Sequence, residues 1–148
     1  MEAIVRPLLA ADRAQWDPLW AGYLAFYKTA LEPMVTETTF ARLIDPNEPM
    51  FAFVAEDEKT KQLLGVVHCV IHRGTWSIGD FCYLEDLFVS EAARGKGVGR
   101  ALIEAVYARA DELGCGRVYW LTHQDNTVAR HLYDEVAEFR GFIQYRRR

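Results

Sequence analysis

The stretch Tyr83-Leu84-Glu85-Asp86-Leu87-Phe88-Val89, followed after four residues by Arg94-Gly95-Lys96-Gly97-Val98-Gly99-Arg100, decides how this chain is read. The first part is an apolar run that reads as a strand. The glycine-rich part opens a long amphipathic segment, 98–113, in which Val98, Ala101, Leu102, Ala105, Val106 and Leu113 share one face and Gly114 marks the end of a helix. A glycine-rich turn between a strand and a helix N-terminus is a physical anion site. Residues without side chains let a phosphate come close, unpaired backbone N–H groups point at it, and the helix dipole favours negative charge. Arg94, Lys96 and Arg100 add positive charge. The turn therefore suits a phosphorylated ligand.

Spacing separates the possible phosphate loops. A dinucleotide fingerprint needs G-x-G-x-x-G with an acidic residue about 20 positions on. Gly95 and Gly97 supply its first pair, but Arg100 stands at the third position, and the next apolar run, 117–122, ends without Asp or Glu. The Walker string G-x-x-x-x-G-K-[ST] is absent. What remains is R-x-x-G-x-G from Arg94, Gly97 and Gly99. Taken alone, that short pattern also describes a glycine-rich surface turn carrying basic residues.

Working outward, the residues over 3–9 begin as an alternating strand. Asp12 offers a helix cap, and Trp16, Leu19, Trp20, Tyr23, Leu24 and Tyr27 follow at helical spacing until Pro33 interrupts. A shorter helix is expected over 36–44, capped by Thr36. Segments 50–55 and 63–72 read as a hairpin, and 81–89 as the next strand. After the loop helix come a strand at 117–122, a helix at 126–136 and a last strand at 142–145. The order β-α-α-β-β-β-α-β-α-β implies a mixed α/β sheet with helices on both faces. Its strand–helix–strand unit should cross over right-handed.

The chain has 148 residues, which suits one domain over 1–148 with a real core. No apolar stretch approaches the ~20 residues of a membrane span, and no charged-then-apolar leader argues for export. Cys69, Cys82 and Cys115 are widely spaced and read as reduced thiols. A cytoplasmic protein is expected. The formal charge of −4 does not suit a nucleic-acid partner, since only Arg146-Arg147-Arg148 is basic, and it is compatible with a cationic substrate. His68 and His72 would share a strand face, but no third ligand has metal-site spacing, so no metal is expected.

Three features together resemble the GNAT family of N-acetyltransferases. The loop of Arg94, Gly97 and Gly99 matches its acyl-CoA pyrophosphate loop. The 83–89 run is similar to its central strand. Asn126, Ala129, Leu132 and Tyr133 reproduce its N-x-x-A-x-x-L-Y signature. Phe26-Tyr27-Lys28-Thr29, Thr36-Glu37-Thr38-Thr39-Phe40 and Val118-Tyr119-Trp120 resemble the small branch acting on polyamines, histone tails or other small amines. One departure is Val136-Ala137-Glu138-Phe139, where many members have a short Gly-aromatic turn. The resemblance implies a mostly antiparallel central sheet with a β-α-β core for acetyl-CoA. It also implies two strands that splay to admit the pantetheine arm.

On that resemblance, Arg94, Gly95, Lys96, Gly97, Val98, Gly99 and Arg100 would hold the pyrophosphate. The backbone of Leu87, Phe88 and Val89 would pair with the pantetheine amides, and Asn126 would touch the cofactor, cap its helix, or both. Tyr133 would be the acid for the leaving thiolate, unless it merely packs beside Leu132. Amine acetylation also needs a base. Glu85 and Asp86 are costly to bury without a partner or a task, and strand alternation sends them to opposite faces. Glu85 matches the acidic position of the polyamine branch and is the candidate base or amine-binding group. Asp86 is expected to be structural, capping or pairing with a basic neighbour, with substrate contact the other possibility. Tyr27, Glu32 and Glu37 either wall the acceptor pocket or are solvated helix ends.

The expected activity is direct transfer of acetyl from acetyl-CoA to a primary amine of a small, cationic acceptor such as a polyamine, diamine or amino acid. Protein lysines or N-termini as acceptors, or CoA binding without catalysis, are the alternatives. With 13% aromatic residues, including Trp16, Trp20, Trp76 and Trp120, a homodimer is expected.

Overall fold

A computed structural model describes residues 2–148. Strands β1 (Ala3–Pro7), β2 (Met50–Asp57), β3 (Leu63–His72), β4 (Phe81–Val89) and β5 (Arg117–Tyr119) form one sheet in chain order. The β1–β2, β2–β3 and β3–β4 pairs are antiparallel, and β4–β5 is parallel. Helices α1 (Arg13–Phe26) and α2 (Pro33–Ile44) fill the β1–β2 connection, α3 (Val98–Glu112) the β4–β5 crossover, and α4 (Thr127–Val136) follows β5.

The sheet has a core on each face. On one, Val67, Cys69, Cys82 and Leu84 meet Leu102, Ile103 and Val106 of α3, with Leu132 and Tyr133 of α4 against them. On the other, Val54 and Val66 meet Trp16, Leu19 and Trp20 of α1 and Phe40 and Leu43 of α2. Leu102, Ile103 and Val106 are fully buried, and each such side chain removed from water is worth ~1.5–3 kcal/mol.

The β4 strand does not alternate throughout. Leu84 and Leu87 both pack on the α3 side, although residues three apart in a regular strand face opposite ways. The cause is a bulge. His68 pairs with Asp86 and Cys69 with Leu84, so Glu85 is an extra residue with no partner on β3. Glu85 and Asp86 therefore both turn to the α1 face, which corrects the expectation of opposite faces.

The β4 and β5 strands pair only from Phe81 to Tyr83 with Arg117 to Tyr119. From Leu84 onward that edge of β4 has no strand partner, so a slot opens, and β5 stops at Tyr119 instead of reaching residue 122. The strand expected at 142–145 is not formed. Residues 137–148 contain neither helix nor strand, and Phe139, Phe142, Ile143 and Tyr145 are exposed. A strand without a neighbouring edge leaves its backbone unpaired.

Three helix boundaries differ from expectation. Pro33 does not separate the helices but begins α2, where its missing N–H would be unpaired anyway. Thr36 lies inside α2, and its hydroxyl accepts the Trp20 indole N–H at 3.1 Å. Asp12 makes no cap to α1. Its carboxylate takes the Arg6 guanidinium at 2.8 and 2.9 Å and the Leu9 N–H at 2.8 Å, and the Arg6 hydrogen bond holds it below its ordinary range.

Candidate active site

The glycine loop lies at the end of α3 nearest the slot. Gly95 and Gly97 have φ of 76° and 81°, a left-handed backbone that favours glycine. A Cβ at either would find nothing within 4 Å, so the space above them is open. Val98 is buried and offers the loop only its backbone. Gly99 packs near Leu132 and Val89. Arg94 donates from Nε to the Val89 carbonyl at 3.1 Å and lies over the Phe88 ring, while Lys96 is exposed. Arg100 is paired with Glu135 of α4 at 2.6 Å. The side chains of Leu87 and Val89 pack on the α3-side core and Phe88 on the α1-side core, which leaves their backbone at the slot. An open, left-handed glycine turn at a helix N-terminus fits a diphosphate.

The bulge lies deeper in the same slot. Asp86 Oδ2 is 2.9 Å from His68 Nδ1, which ties the carboxylate to the neighbouring strand β3. The Tyr23 phenol lies beside this carboxylate. Burial, then Asp86, pushes that phenol up, and Glu85 adds to the effect. Glu85 opens to solvent at the slot, yet the slot walls desolvate it. Its carboxyl is raised above the ordinary range by that burial and then by the adjacent Asp86 charge. A raised carboxyl suits a group that must take up a proton.

Tyr133 of α4 stands edge-on to Trp120, with ring centroids 5.4 Å apart. Burial pushes its phenol up to about 12, with Tyr27 contributing, so it holds its proton at neutral pH. Tyr27 is raised by burial and then by Asp86, and its ring lies 5.6 Å from His123. Tyr27 is thus near enough to Asp86 and to Tyr133 for charge to be felt across both gaps. Asn126 occupies the position before α4 but makes no side-chain cap. Its Nδ2 donates to Thr122 Oγ1 at 3.1 Å. Glu32 is exposed ahead of α2, outside this network. Glu37 is bound to Arg13 at 2.6 and 3.0 Å at the exposed surface of α1 and α2.

The cluster thus joins Glu85, Asp86, Tyr27 and Tyr133, all singled out in the sequence, with Tyr23, His68 and Thr122, which were not assigned there. A separate cleft of about 430 Å³, lined by Pro7, Ile44, Met50, Arg109 and Leu113, lies at the opposite end of the sheet and takes no part. Among the described residues, no group of three His, Cys, Asp or Glu side chains is arranged to hold a metal ion.

Residues 15–139 match the sequence model of the Acetyltransferase (GNAT) family. The chain belongs to the GNAT acetyltransferase family. It is 42% identical over 144 residues to the D-amino-acid N-acetyltransferase HPA3 of Saccharomyces cerevisiae, covering 97% of this chain and 89% of that one. It is 41% identical over 55 residues, 37% of this chain and 24% of the other, to the L-ornithine N5-acetyltransferase NATA1 of Arabidopsis thaliana. The fold is shared with AAC(6')-Iy in complex with the bisubstrate analog CoA-S-monomethyl-acetylneamine. That match has a TM-score of 0.83 at 19% identity, covering 100% of this chain and 99% of that one. As a GNAT N-acetyltransferase, the chain has the mixed, mostly antiparallel sheet expected from its sequence. Among the described residues no helix is long and apolar enough to cross a membrane.

Proposed function

We propose that this GNAT enzyme transfers acetyl directly from acetyl-CoA to a primary amine of a small cationic acceptor, such as a diamine, polyamine or amino acid. The observation that carries the reading is the β4 bulge, which gathers Glu85 and Asp86 on one side of the slot with Tyr23 and Tyr27. Two carboxylates among aromatic rings suit an ammonium, through charge and through the ring faces. The relatives named for D-amino-acid and ornithine acetylation support a small amine.

Acetyl-CoA, when bound, supplies the acetyl group as a thioester. In this reading the Arg94–Arg100 loop holds the diphosphate, and the backbone of Leu87, Phe88 and Val89 holds the pantetheine amides. Asn126, with Thr122, borders the same slot. Glu85 takes the ammonium proton, which frees the nitrogen lone pair, and its exposed edge returns that proton to water. Tyr133 keeps its phenolic proton at neutral pH and gives it to the departing thiolate, and the second proton lost from the attacking nitrogen restores the phenol. The protein is read as cytoplasmic. It is also read as a homodimer, because Phe139, Phe142, Ile143 and Tyr145 expose apolar surface on a segment without sheet partners. Light scattering should then give twice the chain mass of 17.0 kDa, and the mass of one chain at micromolar concentration contradicts a dimer.

The test of the activity is a thiol-release assay with acetyl-CoA and a panel of diamines, polyamines, D- and L-amino acids, aminoglycosides and lysine peptides. Turnover is expected with the small cationic amines. Turnover of lysine peptides alone contradicts the acceptor class, and no turnover with any amine contradicts the activity.

A further inference from the structure

We propose that His68, held in one tautomer by Trp16, is a positioning residue that fixes the Asp86 carboxylate as the anchor for the acceptor's ammonium. The proposal rests on the amine-acetylation reading above and adds a division of labour between its two carboxylates.

His68 is 2% exposed and, with Asp12, one of two buried polar or charged residues in the described core. Both its ring nitrogens are engaged. Trp16 Nε1 is 3.0 Å from Nε2, and Asp86 Oδ2 is 2.9 Å from Nδ1. An indole N–H can only donate. Nε2 must therefore present its lone pair, and the imidazole proton sits on Nδ1, where it donates to Asp86. The ring plane is held as well, since Trp16 and Trp20 pack against it at centroid distances of 5.8 and 5.3 Å.

A merely space-filling residue in this core would have no use for such an arrangement. An aliphatic side chain satisfies an apolar site without partners, whereas a buried polar group needs each of its hydrogen bonds. What the relay accomplishes is at its far end. The Asp86 side chain is 14% exposed, so a fixed carboxylate edge still reaches the slot. The register that pairs His68 with Asp86 is the one that makes Glu85 the bulged residue. Asp86 is thus tethered while its neighbour Glu85 remains open to solvent.

The chemistry divides accordingly. The acceptor's ammonium donates to the Asp86 carboxylate that His68 holds in place. A second N–H faces Glu85. That N–H bond breaks, an O–H bond forms on the Glu85 carboxylate, and the electron pair stays on nitrogen for attack on the acetyl carbon.

The experiment measures KM for ornithine and putrescine, KM for acetyl-CoA and thermal melting in His68→Leu, His68→Gln and Trp16→Phe, with ¹⁵N NMR of the His68 ring. Losing a hydrogen bond to a charged group should raise the amine KM about tenfold to a hundredfold in His68→Leu, with the acetyl-CoA KM unchanged. Gln retains an acceptor for Trp16 and a donor for Asp86, so His68→Gln should recover most of the amine KM. The unaltered protein should show a protonated Nδ1 and a bare Nε2. Trp16→Phe should let a proton appear on Nε2 and raise the amine KM. An unchanged amine KM in a folded His68→Leu overturns the proposal, whatever its melting temperature. If His68→Leu does not fold, an unchanged tautomer and amine KM in Trp16→Phe overturn it. If the unaltered enzyme acetylates no amine at all, the functional reading falls and takes this inference with it.

Discussion

The two faces of the sheet are built from different chemistry. Against α3, the sheet presents Val67, Cys69, Cys82 and Leu84 to Leu102, Ile103 and Val106, a dry packing that needs no hydrogen-bond partners. Against α1, it presents a chain of polar contacts set among aromatic rings, from Trp16 through His68 to Asp86, with the Tyr23 phenol beside that carboxylate. The α3 face is held by aliphatic packing with Tyr133 at its slot edge, and the α1 face carries the two acids. The bulge at Glu85 lets a single strand serve both. Leu84 and Leu87 remain in the aliphatic core while two acids between them turn to the opposite side.

If the faces divide in this way, substitutions should separate into losses of chemistry and losses of stability. The largest expected effect is on chemistry. Tyr133→Phe removes only a hydroxyl, and loss of a general acid should lower kcat about 10²–10⁴-fold while calorimetry shows acetyl-CoA affinity intact. A kcat close to that of the unaltered enzyme would take Tyr133 out of the mechanism. On the dry face, Leu102→Ala should cost ~2–5 kcal/mol of stability in denaturant unfolding with no change in amine preference. A shift in preference would mean that the faces are not independent. Gly97→Asp sharpens the contrast within the slot. It adds a side chain and a negative charge at a φ of 81°, and should weaken acetyl-CoA about tenfold or more, ~1.4 kcal/mol, while leaving the Glu85 and Asp86 cluster in place. Unchanged acetyl-CoA affinity by calorimetry would remove the loop from the diphosphate site.

Features that depend on local spacing were legible in the sequence. The bounds of β3 and β4 follow from their apolar runs, and the loop from its glycines at a helix start. Features that depend on pairing were not. Nothing in Leu84-Glu85-Asp86-Leu87 marks a bulge, because a bulge is a property of register against β3. Without it, alternation places the two acids on opposite faces. His68 looked like half of an incomplete metal pair with His72, since its partners Trp16 and Asp86 lie 52 and 18 residues away. Tyr23 was one more aromatic on a helix face until the fold set it beside Asp86. Segment 142–145 has strand composition, yet a strand requires an edge, which composition does not supply.

The central claim is that the bulge makes Glu85 the base of an ammonium-binding site, and the pH dependence of kcat/KM tests it most directly. The Glu85 carboxyl is raised, and only its deprotonated form accepts a proton. The active fraction should therefore fall with decreasing pH earlier than for an ordinary glutamate, whose pKa is about 4.3. Measured with ornithine across pH in the unaltered enzyme and in Glu85→Gln, the account predicts an acidic limb that belongs to Glu85. It also predicts that this limb disappears in the variant, together with a loss of about 10²-fold or more at neutral pH. A Glu85→Gln enzyme with the rate and acidic limb of the unaltered protein would contradict it.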